Sequence, residues 1–366
     1  MATTKVIICL DGCAPDYIAA SDTPNLDALA REGCFIVGRA VMPTVTNVNN
    51  TSIVTAQPPA KHGITANYYQ DLASGQGVYM ESPDFIQAET IFQFSARTNK
   101  KSALLTAKTK LKTLIQTGAD LAESAQNPAP WLVDLVGPPP DIYSLEVNHW
   151  LFKAALAVLM ADSPPEVMYI STTDYAQHKF APESEQSQWN INQIDYWVGE
   201  LLNLDPAIEL VITADHGMNP KRRVLNLKQV LHKAGMEAVF VPIIKDRYVV
   251  HHQNLGGSAY IYLEDPALMK QAREVLNETP GVDAVYSAEE AVLFFKLHPK
   301  RIGHLFVLAD ADTVFGEMPG LEQTVDIRSH GSLYEEQVPI YVYGNGPRAA
   351  RPRTNDQIAQ WIFRQG

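Results

Sequence analysis

Short apolar runs rich in β-branched residues alternate along this chain with segments in which apolar residues recur every three or four positions. The short runs predict strands at residues 5–10, 102–106, 167–171, 209–213 and 338–343. Helices are predicted at residues 24–32, 51–55, 146–161, 187–202 and 356–363. This alternation is typical of the α/β class, with a mostly parallel sheet covered by helices on both faces.

Residues 219–324 follow a different pattern. Extended runs are predicted there at residues 238–244, 248–252, 259–263 and 282–286, together with two short helices. We interpret this segment as a small α+β cap inserted into a core made of residues 1–218 and 325–366. Within the core, residues 128–140 are predicted to form a structured loop.

Charge and composition restrict the partners. Lys+Arg 29 against Asp+Glu 41 give a net charge of −12, which disfavours nucleic acid and anionic membrane surfaces. No apolar run approaches the roughly 20 residues of a membrane span, and the N-terminus lacks the apolar region of a signal peptide. Cysteines number only 3, which suggests reduced thiols and a cytoplasmic protein. The sequence leaves a homodimer open.

Acidic and imidazole side chains follow several of the predicted strands, in the motifs VIICLDG, STTDYAQH, VITADHGM and RSHGS. The carboxyl ends of strands in an open α/β sheet form the edge where ligands bind. Converging carboxylates and imidazoles require an opposite charge, usually a divalent metal, although one Asp-His pair alone is more often structural. The candidate ligands are Asp11, Asp174, His178, Asp215, His216 and His330.

Together with PTVTNVNNTSIVTAQPPAKHGI and HGSLYEEQVPIYVYGNGP, these motifs resemble the alkaline phosphatase superfamily. Within it, the chain is most similar to the phosphonoacetate hydrolases and the nucleotide pyrophosphatase/phosphodiesterases. The resemblance spans nearly the whole core and implies an alkaline phosphatase-like fold with two zinc ions. One departure is Ala56, where the family usually has glycine.

The resemblance implies a division of the ligands between two zinc ions. One ion would be held by Asp174, His178 and His330, and the other by Asp11, Thr46, Asp215 and His216. Iron or manganese could replace zinc at such nitrogen and oxygen ligands.

Thr46 matches the nucleophile of the family and is expected to lie just before a helix, whose free N–H groups would face phosphoryl oxygens. Thr44 would share a face with Thr46 in an extended lead-in, so spacing alone does not exclude it. Asn67 matches the family's amide donor to the phosphoryl group, and its alternative interpretation is a plain turn residue.

Lys108 and Lys110 close the strand at 102–106 and are predicted to lie on one side of an extended stretch. The resemblance implies that this pair holds the carboxylate of a small anionic phosphonate. Two ammonium groups would stabilise the charge that develops when a C–P bond breaks next to a carboxylate. The implied reaction is hydrolysis of phosphonoacetate to acetate and phosphate through a phosphothreonine. Solvated strand-end charges are the alternative for both lysines.

Two other functions remain open. A nucleotide phosphodiesterase of the same superfamily usually carries an aromatic residue after the nucleophile, to stack on a base, whereas this chain has Asn47 and Val48. An inactive zinc-binding scaffold is disfavoured because the ligands and the nucleophile are all present.

Overall fold

The computed structural model describes residues 4–204, 208–247 and 253–363. Its strands are β1 (Lys5–Cys9), β2 (Cys34–Arg39), β3 (Tyr68–Gln70), β4 (Gly77–Tyr79), β5 (Ser102–Thr106), β6 (Leu121–Ser124), β7 (Val167–Ser171), β8 (Glu209–Thr213), β9 (Asn219–Leu225), β10 (Ala238–Pro242), β11 (Ser258–Leu263), β12 (Val282–Ser287), β13 (Leu305–Ala309), β14 (Thr313–Phe315), β15 (Glu322–Ser329) and β16 (Gln337–Tyr343). The strand predicted at 248–252 lies outside the described residues.

Most of the described helices precede β9 in the chain, and the others follow it. They are α1 (Pro15–Ala19), α2 (Pro24–Glu32), α3 (Thr46–Thr55), α4 (Pro59–His62), α5 (Ile91–Arg97), α6 (Thr109–Ile115), α7 (Pro130–Val136), α8 (Glu146–Leu159), α9 (Tyr175–Lys179), α10 (Glu185–Leu204), α11 (Leu227–Lys233), α12 (Met269–Asn277), α13 (Ala288–Phe295), α14 (Asn345–Ala350) and α15 (Gln360–Phe363). Among the helices described, none is long and apolar enough to cross a membrane.

A seven-stranded sheet in the order β2-β16-β8-β1-β7-β5-β6 forms the centre of the fold. β8, β1, β7, β5 and β6 run parallel to one another, and β16 runs antiparallel to β8 and β2. Every residue of β5 and β7 is buried. Since alternate residues of a strand point to opposite faces, both faces of the sheet are covered there. The predicted fold class is confirmed.

A second sheet, in the order β10-β11-β13-β12, is antiparallel throughout. It packs with α11 and α12 around its own apolar core, which includes Leu231, Phe240 and Leu276. This sheet lies inside the segment interpreted as a cap. A third sheet, β14-β9-β15, continues beyond residue 324 because β15 ends at Ser329, directly before His330. The boundaries between core and cap remain a prediction.

Several local predictions were wrong. Residues 128–140 contain the helix α7, and the described part of residues 219–324 holds α11, α12 and α13 rather than two helices. The stretch carrying Lys108 and Lys110 is not extended: Lys108 precedes α6, and Lys110 lies in its first turn. The sequence does contain the helical signal, because Leu111, Leu114 and Ile115 recur at helical spacing and are buried.

Candidate metal centre and adjoining cavity

The aspartates of the predicted centre follow neighbouring strands of the central sheet. Asp11 comes after β1, Asp174 after β7 and Asp215 after β8. β1 lies between β7 and β8 and is parallel to both, so the three chain segments leave the sheet at the same edge. All of these carboxylates are buried.

The histidines reach the same edge by different routes. His178 lies at the end of the first turn after Asp174, and its Nε2 is 3.0 Å from Asp174 Oδ2. His330 follows β15, which β9 holds beside the core, and its Nε2 is 4.0 Å from the same oxygen. His216 follows Asp215 in the loop after β8, and its ring stacks on that of His330 with 3.6 Å between the centroids.

The structure therefore brings the predicted ligands together. We call them the ligand cluster, which consists of Asp11, Asp174, His178, Asp215, His216 and His330. Two groups of them have donor atoms within 4.8 Å of one another, namely Asp11 with Asp215 and His216, and Asp174 with His216 and His330. The first group agrees with one implied zinc set. In the second, His216 stands where the implied set has His178, which instead contacts Asp174.

The second ring nitrogen of each histidine shows how the imidazoles are oriented. The Nδ1 atom of His178 lies 2.8 Å from the carbonyl oxygen of Arg328. The Nδ1 atom of His216 lies 2.9 Å from the carbonyl oxygen of Gly217, and that of His330 lies 2.7 Å from the carbonyl oxygen of Thr44. A carbonyl only accepts, so Nδ1 carries the hydrogen and a neutral ring presents the lone pair of Nε2 to the carboxylates. Metal-binding histidines have this arrangement.

The electrostatics of the ligand cluster also fit a cation. Burial, with the charges of Asp174 and Asp215, raises the pKa of Asp11 well above its ordinary value. Burial raises the pKa of Asp215 to about 6 and lowers the pKa of both His216 and His330. Asp11 Oδ1 is buried and has no hydrogen-bond partner among the described residues. These mixed nitrogen and oxygen donors suit zinc or a similar divalent ion.

Asn50 organises the neighbourhood of Asp215 and was not predicted. Its Nδ2 donates to Asp215 Oδ2 at 3.1 Å and to the carbonyl of Thr46 at 3.0 Å. Its Oδ1 accepts from the hydroxyls of Tyr169 and Ser171. The only sequence signal was its position one helical turn after Thr46, on the same face of α3.

Thr46 is the first residue of α3 rather than the residue before it, and its hydroxyl lies 3.3 Å from His216 Nε2. Thr44 is engaged elsewhere. Its hydroxyl donates to the carbonyl of Ser332 at 2.8 Å and accepts from the N–H of Gly331 at 3.0 Å. The side chain of Thr44 therefore fastens the loop that carries His330.

A cavity of about 570 Å³ adjoins the ligand cluster. The predicted residues that line it are Thr46, Asn67, Lys108, Lys110, Asp174 and His330. Ile142 and Tyr143, from the segment before α8, also line it and were not predicted. The cavity is thus shared by the predicted nucleophile, members of the ligand cluster and both lysines.

The two lysines make different contacts. Lys108 Nζ lies 3.2 Å from Asp11 Oδ2 and 2.7 Å from Asp174 Oδ1. Burial alone would lower the pKa of Lys108, but these two carboxylates outweigh it and raise that pKa above its ordinary value. Lys110 Nζ lies 2.5 Å from Asp246 Oδ2 and 3.8 Å from Glu81 Oε1. Neither lysine is a solvated strand-end charge.

Around Lys110 the charges form a second group, which sequence reasoning missed. Arg247 Nε is 3.4 Å from Glu81 Oε2, and Asn67 Nδ2 is 3.5 Å from Asp246 Oδ2. We call Glu81, Lys110, Asp246 and Arg247 the charge cluster. Asp246 lies in the segment interpreted as a cap, where no motif marked it.

A buried ion pair joins the loops that carry two of the histidines. Lys221 Nζ lies 2.8 Å from Glu335 Oε1, and both side chains are fully buried. Glu335 Oε2 accepts from the N–H and the hydroxyl of Ser332, two residues after His330. The carbonyl of Glu335 accepts from the N–H of Gly217, next to His216. This pair therefore supports both loops.

Comparison with known proteins gives a consistent picture. A family model described as type I phosphodiesterase / nucleotide pyrophosphatase matches residues 5–333. The structure of phosphonoacetate hydrolase from Sinorhizobium meliloti 1021 in complex with phosphonoformate superposes with a TM-score of 0.87 at 32% identity, over 99% of this chain and 95% of that one. The same protein in complex with phosphonoacetate also matches, at 31% identity.

Curated relatives are more distant. A pyrophosphatase/phosphodiesterase of Schizosaccharomyces pombe, described as uncharacterized, is 25% identical over 260 residues, which are 63% of this chain and 50% of that protein. The venom phosphodiesterase of Naja atra is 27% identical over 228 residues, which are 58% of this chain and 26% of that protein. The matches span half or less of the length of these relatives.

Proposed function

The chain belongs to the type I phosphodiesterase / nucleotide pyrophosphatase family, and we propose that it is a two-zinc hydrolase that cleaves the C–P bond of phosphonoacetate. The observation that carries this proposal is the cavity that Lys108 and Lys110 share with Thr46 and with ligands of the metal centre. The likeness over nearly the whole chain to a phosphonoacetate hydrolase supports it.

The ligand cluster divides between two ions in this proposal. Asp174, His178 and His330 would hold one ion, and Asp11, Asp215, His216 and the hydroxyl of Thr46 would hold the other. Bound zinc would supply positive charge that lowers the pKa of the Thr46 hydroxyl and offsets the charge of the phosphoryl oxygens. The backbone carbonyls that accept from Nδ1 would keep each Nε2 turned towards a bound ion.

Thr46 is the nucleophile in this mechanism. Its Oγ attacks phosphorus, the C–P bond breaks, and the electron pair passes to the methylene carbon and into the adjacent carboxylate. Lys108 and Lys110 stabilise that charge where it develops, and Asn67 donates to a phosphoryl oxygen. A water molecule protonates the carbon to give acetate, and the hydroxide it leaves takes up the proton lost by the Thr46 hydroxyl. A second water then hydrolyses the phosphothreonine to phosphate. The bonds that engage the Thr44 hydroxyl support the choice of Thr46.

The first turn of α3 adds to this stabilisation. Thr46 is its first residue, so the unpaired N–H groups and the positive end of the helix dipole lie beside the nucleophile. A phosphoryl group bonded to Thr46 would be within reach of those donors.

One observation favours a second function, hydrolysis of a nucleotide phosphodiester. Tyr143 lines the cavity and is an aromatic side chain on which a base could stack. Against it, Asn47 lines the cavity but is not aromatic, and Val48 is buried in α3, so the positions after the nucleophile offer no stacking surface.

The direct test compares two substrates on the purified holoenzyme. Phosphate release from phosphonoacetate, abolished by a chelator and restored by zinc, is the expected result. The comparison substrate is a nitrophenyl phosphodiester, with a dinucleotide as a third arm. Rapid cleavage of the dinucleotide without any phosphate from phosphonoacetate would replace the proposal with the phosphodiesterase alternative.

A further inference from the structure

Lys108 bridges two carboxylates that are expected to serve different metal ions. Its Nζ lies 3.2 Å from Asp11 Oδ2 and 2.7 Å from Asp174 Oδ1. The side chain is mostly buried, so these are charge-assisted hydrogen bonds in a site that excludes most water. They are therefore stronger constraints than a surface ion pair would provide.

The second oxygen of each of these carboxylates faces an imidazole ring. Asp11 Oδ1 is 3.6 Å from His216 Nε2, and Asp174 Oδ2 is 3.0 Å from His178 Nε2. One oxygen of each aspartate thus faces Lys108, and the other faces the histidines. An ion on the imidazole side would leave both contacts of Lys108 in place.

The backbone that carries Lys108 is well fixed. The preceding residue, Ala107, donates its N–H to the carbonyl of Ser171 at the end of β7, at 3.0 Å. The carbonyl of Lys108 accepts from the N–H of Lys112 in α6, at 3.2 Å. The ammonium group has three donors, and the two carboxylates use two of them. One donor is left for a substrate in the cavity that Lys108 lines.

We propose that Lys108 is a positioning residue that holds Asp11 and Asp174 in the orientation required by the two metal sites, in addition to contacting substrate. The inference rests on the proposed two-metal function. It separates Lys108 from Lys110, which pairs with Asp246 and Glu81 in the charge cluster instead. The two lysines, two residues apart, therefore form a matched pair for experiment.

The test titrates chelator-treated, metal-free protein with Zn²⁺ alone. Lys108→Met and Lys108→Gln should each bind the ions about 10- to 100-fold more weakly than the unmodified protein. Lys110→Met should bind them with unchanged affinity. Thermal melting of each metal-free variant verifies that it is folded, and the two substitutions at Lys108 guard against one that fails to fold.

The zinc affinity of the Lys108 variants decides whether the inference holds. Unchanged or tighter zinc binding by both Lys108 variants would overturn the inference, because the lysine would then only compete with the ions or serve the substrate. At saturating zinc, a positioning role predicts a lower kcat at Lys108 for phosphonoacetate and for a nitrophenyl phosphodiester alike. Because the zinc titration uses no substrate, its outcome is independent of whether the protein cleaves phosphonoacetate.

Discussion

The ligand cluster and the charge cluster contribute to one cavity but are built in different ways. The ligand cluster is buried, and most of it follows strands of a single sheet whose topology fixes where the side chains meet. The charge cluster is partly exposed and joins side chains from three separate segments, including residues 246–247 of the segment interpreted as a cap. In the proposed function, the sheet therefore fixes the metal chemistry, whereas connecting segments set the choice of substrate.

The largest effect should follow from removing the nucleophile beside the ligand cluster. Thr46→Ala should lower kcat at least about 10³-fold for every phosphorus substrate, because the attacking hydroxyl is removed. Thr46→Ser is the matched control and should keep part of the activity. Steady-state rates on phosphonoacetate and on a nitrophenyl phosphodiester measure this. Near-normal turnover by Thr46→Ala, with loss in Thr44→Ala, would assign the nucleophile to Thr44.

Lys221 supports the ligand cluster without belonging to it. Lys221→Met should lower the free energy of unfolding of the metal-free protein by about 3–5 kcal/mol, because the buried charge of Glu335 loses its cationic partner. Urea unfolding gives this value. The double variant Lys221→Met, Glu335→Gln should recover much of the loss. A single-variant effect below about 1 kcal/mol would show that Glu335 is neutral or solvated in the folded chain.

Within the charge cluster, Lys110→Ala tests substrate choice. We expect kcat/KM for phosphonoacetate to fall about 10- to 100-fold, since a charge-assisted partner of the carboxylate is lost. A nitrophenyl phosphodiester lacks that carboxylate and should be little affected. Equal losses on both substrates would mean that Lys110 supports the fold, and no loss on either would remove it from substrate recognition.

The smallest expected effect is that of pH, which acts in opposite directions on zinc affinity and on the stability of the metal-free fold. Burial raises the pKa of Asp215 to about 6, so protons compete with metal below that pH. Zinc affinity should fall about tenfold per pH unit for each proton displaced as the pH drops from about 6 to about 5. Competition titrations measure it, and an affinity that stays constant over this range would contradict the shift.

For the metal-free fold the same shift acts the other way. A carboxyl group whose pKa is higher in the folded than in the unfolded chain stabilises the fold at low pH. That contribution of Asp215 is complete below its unfolded pKa of about 4 and is lost as the pH rises through about 6. Urea unfolding of metal-free protein across this range should show the loss, after allowance for the other buried carboxylates.

How far the sequence predicts this molecule depends on whether a residue carries a local signal. Asp11 and Asp215 each follow an apolar run, and parallel strands end at one edge, so their meeting could be expected. Asn50 and Asp246 have no such signal, because their functional contacts join segments more than 100 positions apart in the chain. The helix after Lys108 was missed because the alternating lysines suggested an extended stretch.

Trapping the covalent intermediate tests the central claim most directly. The holoenzyme would be mixed with phosphonoacetate, quenched in acid during turnover and digested, and its peptides would be examined by mass spectrometry. We predict one added phosphoryl group on Thr46, formed together with acetate, and none on Thr44. Turnover of phosphonoacetate with no phosphoryl group on Thr46, or with the group on another residue, would contradict the account.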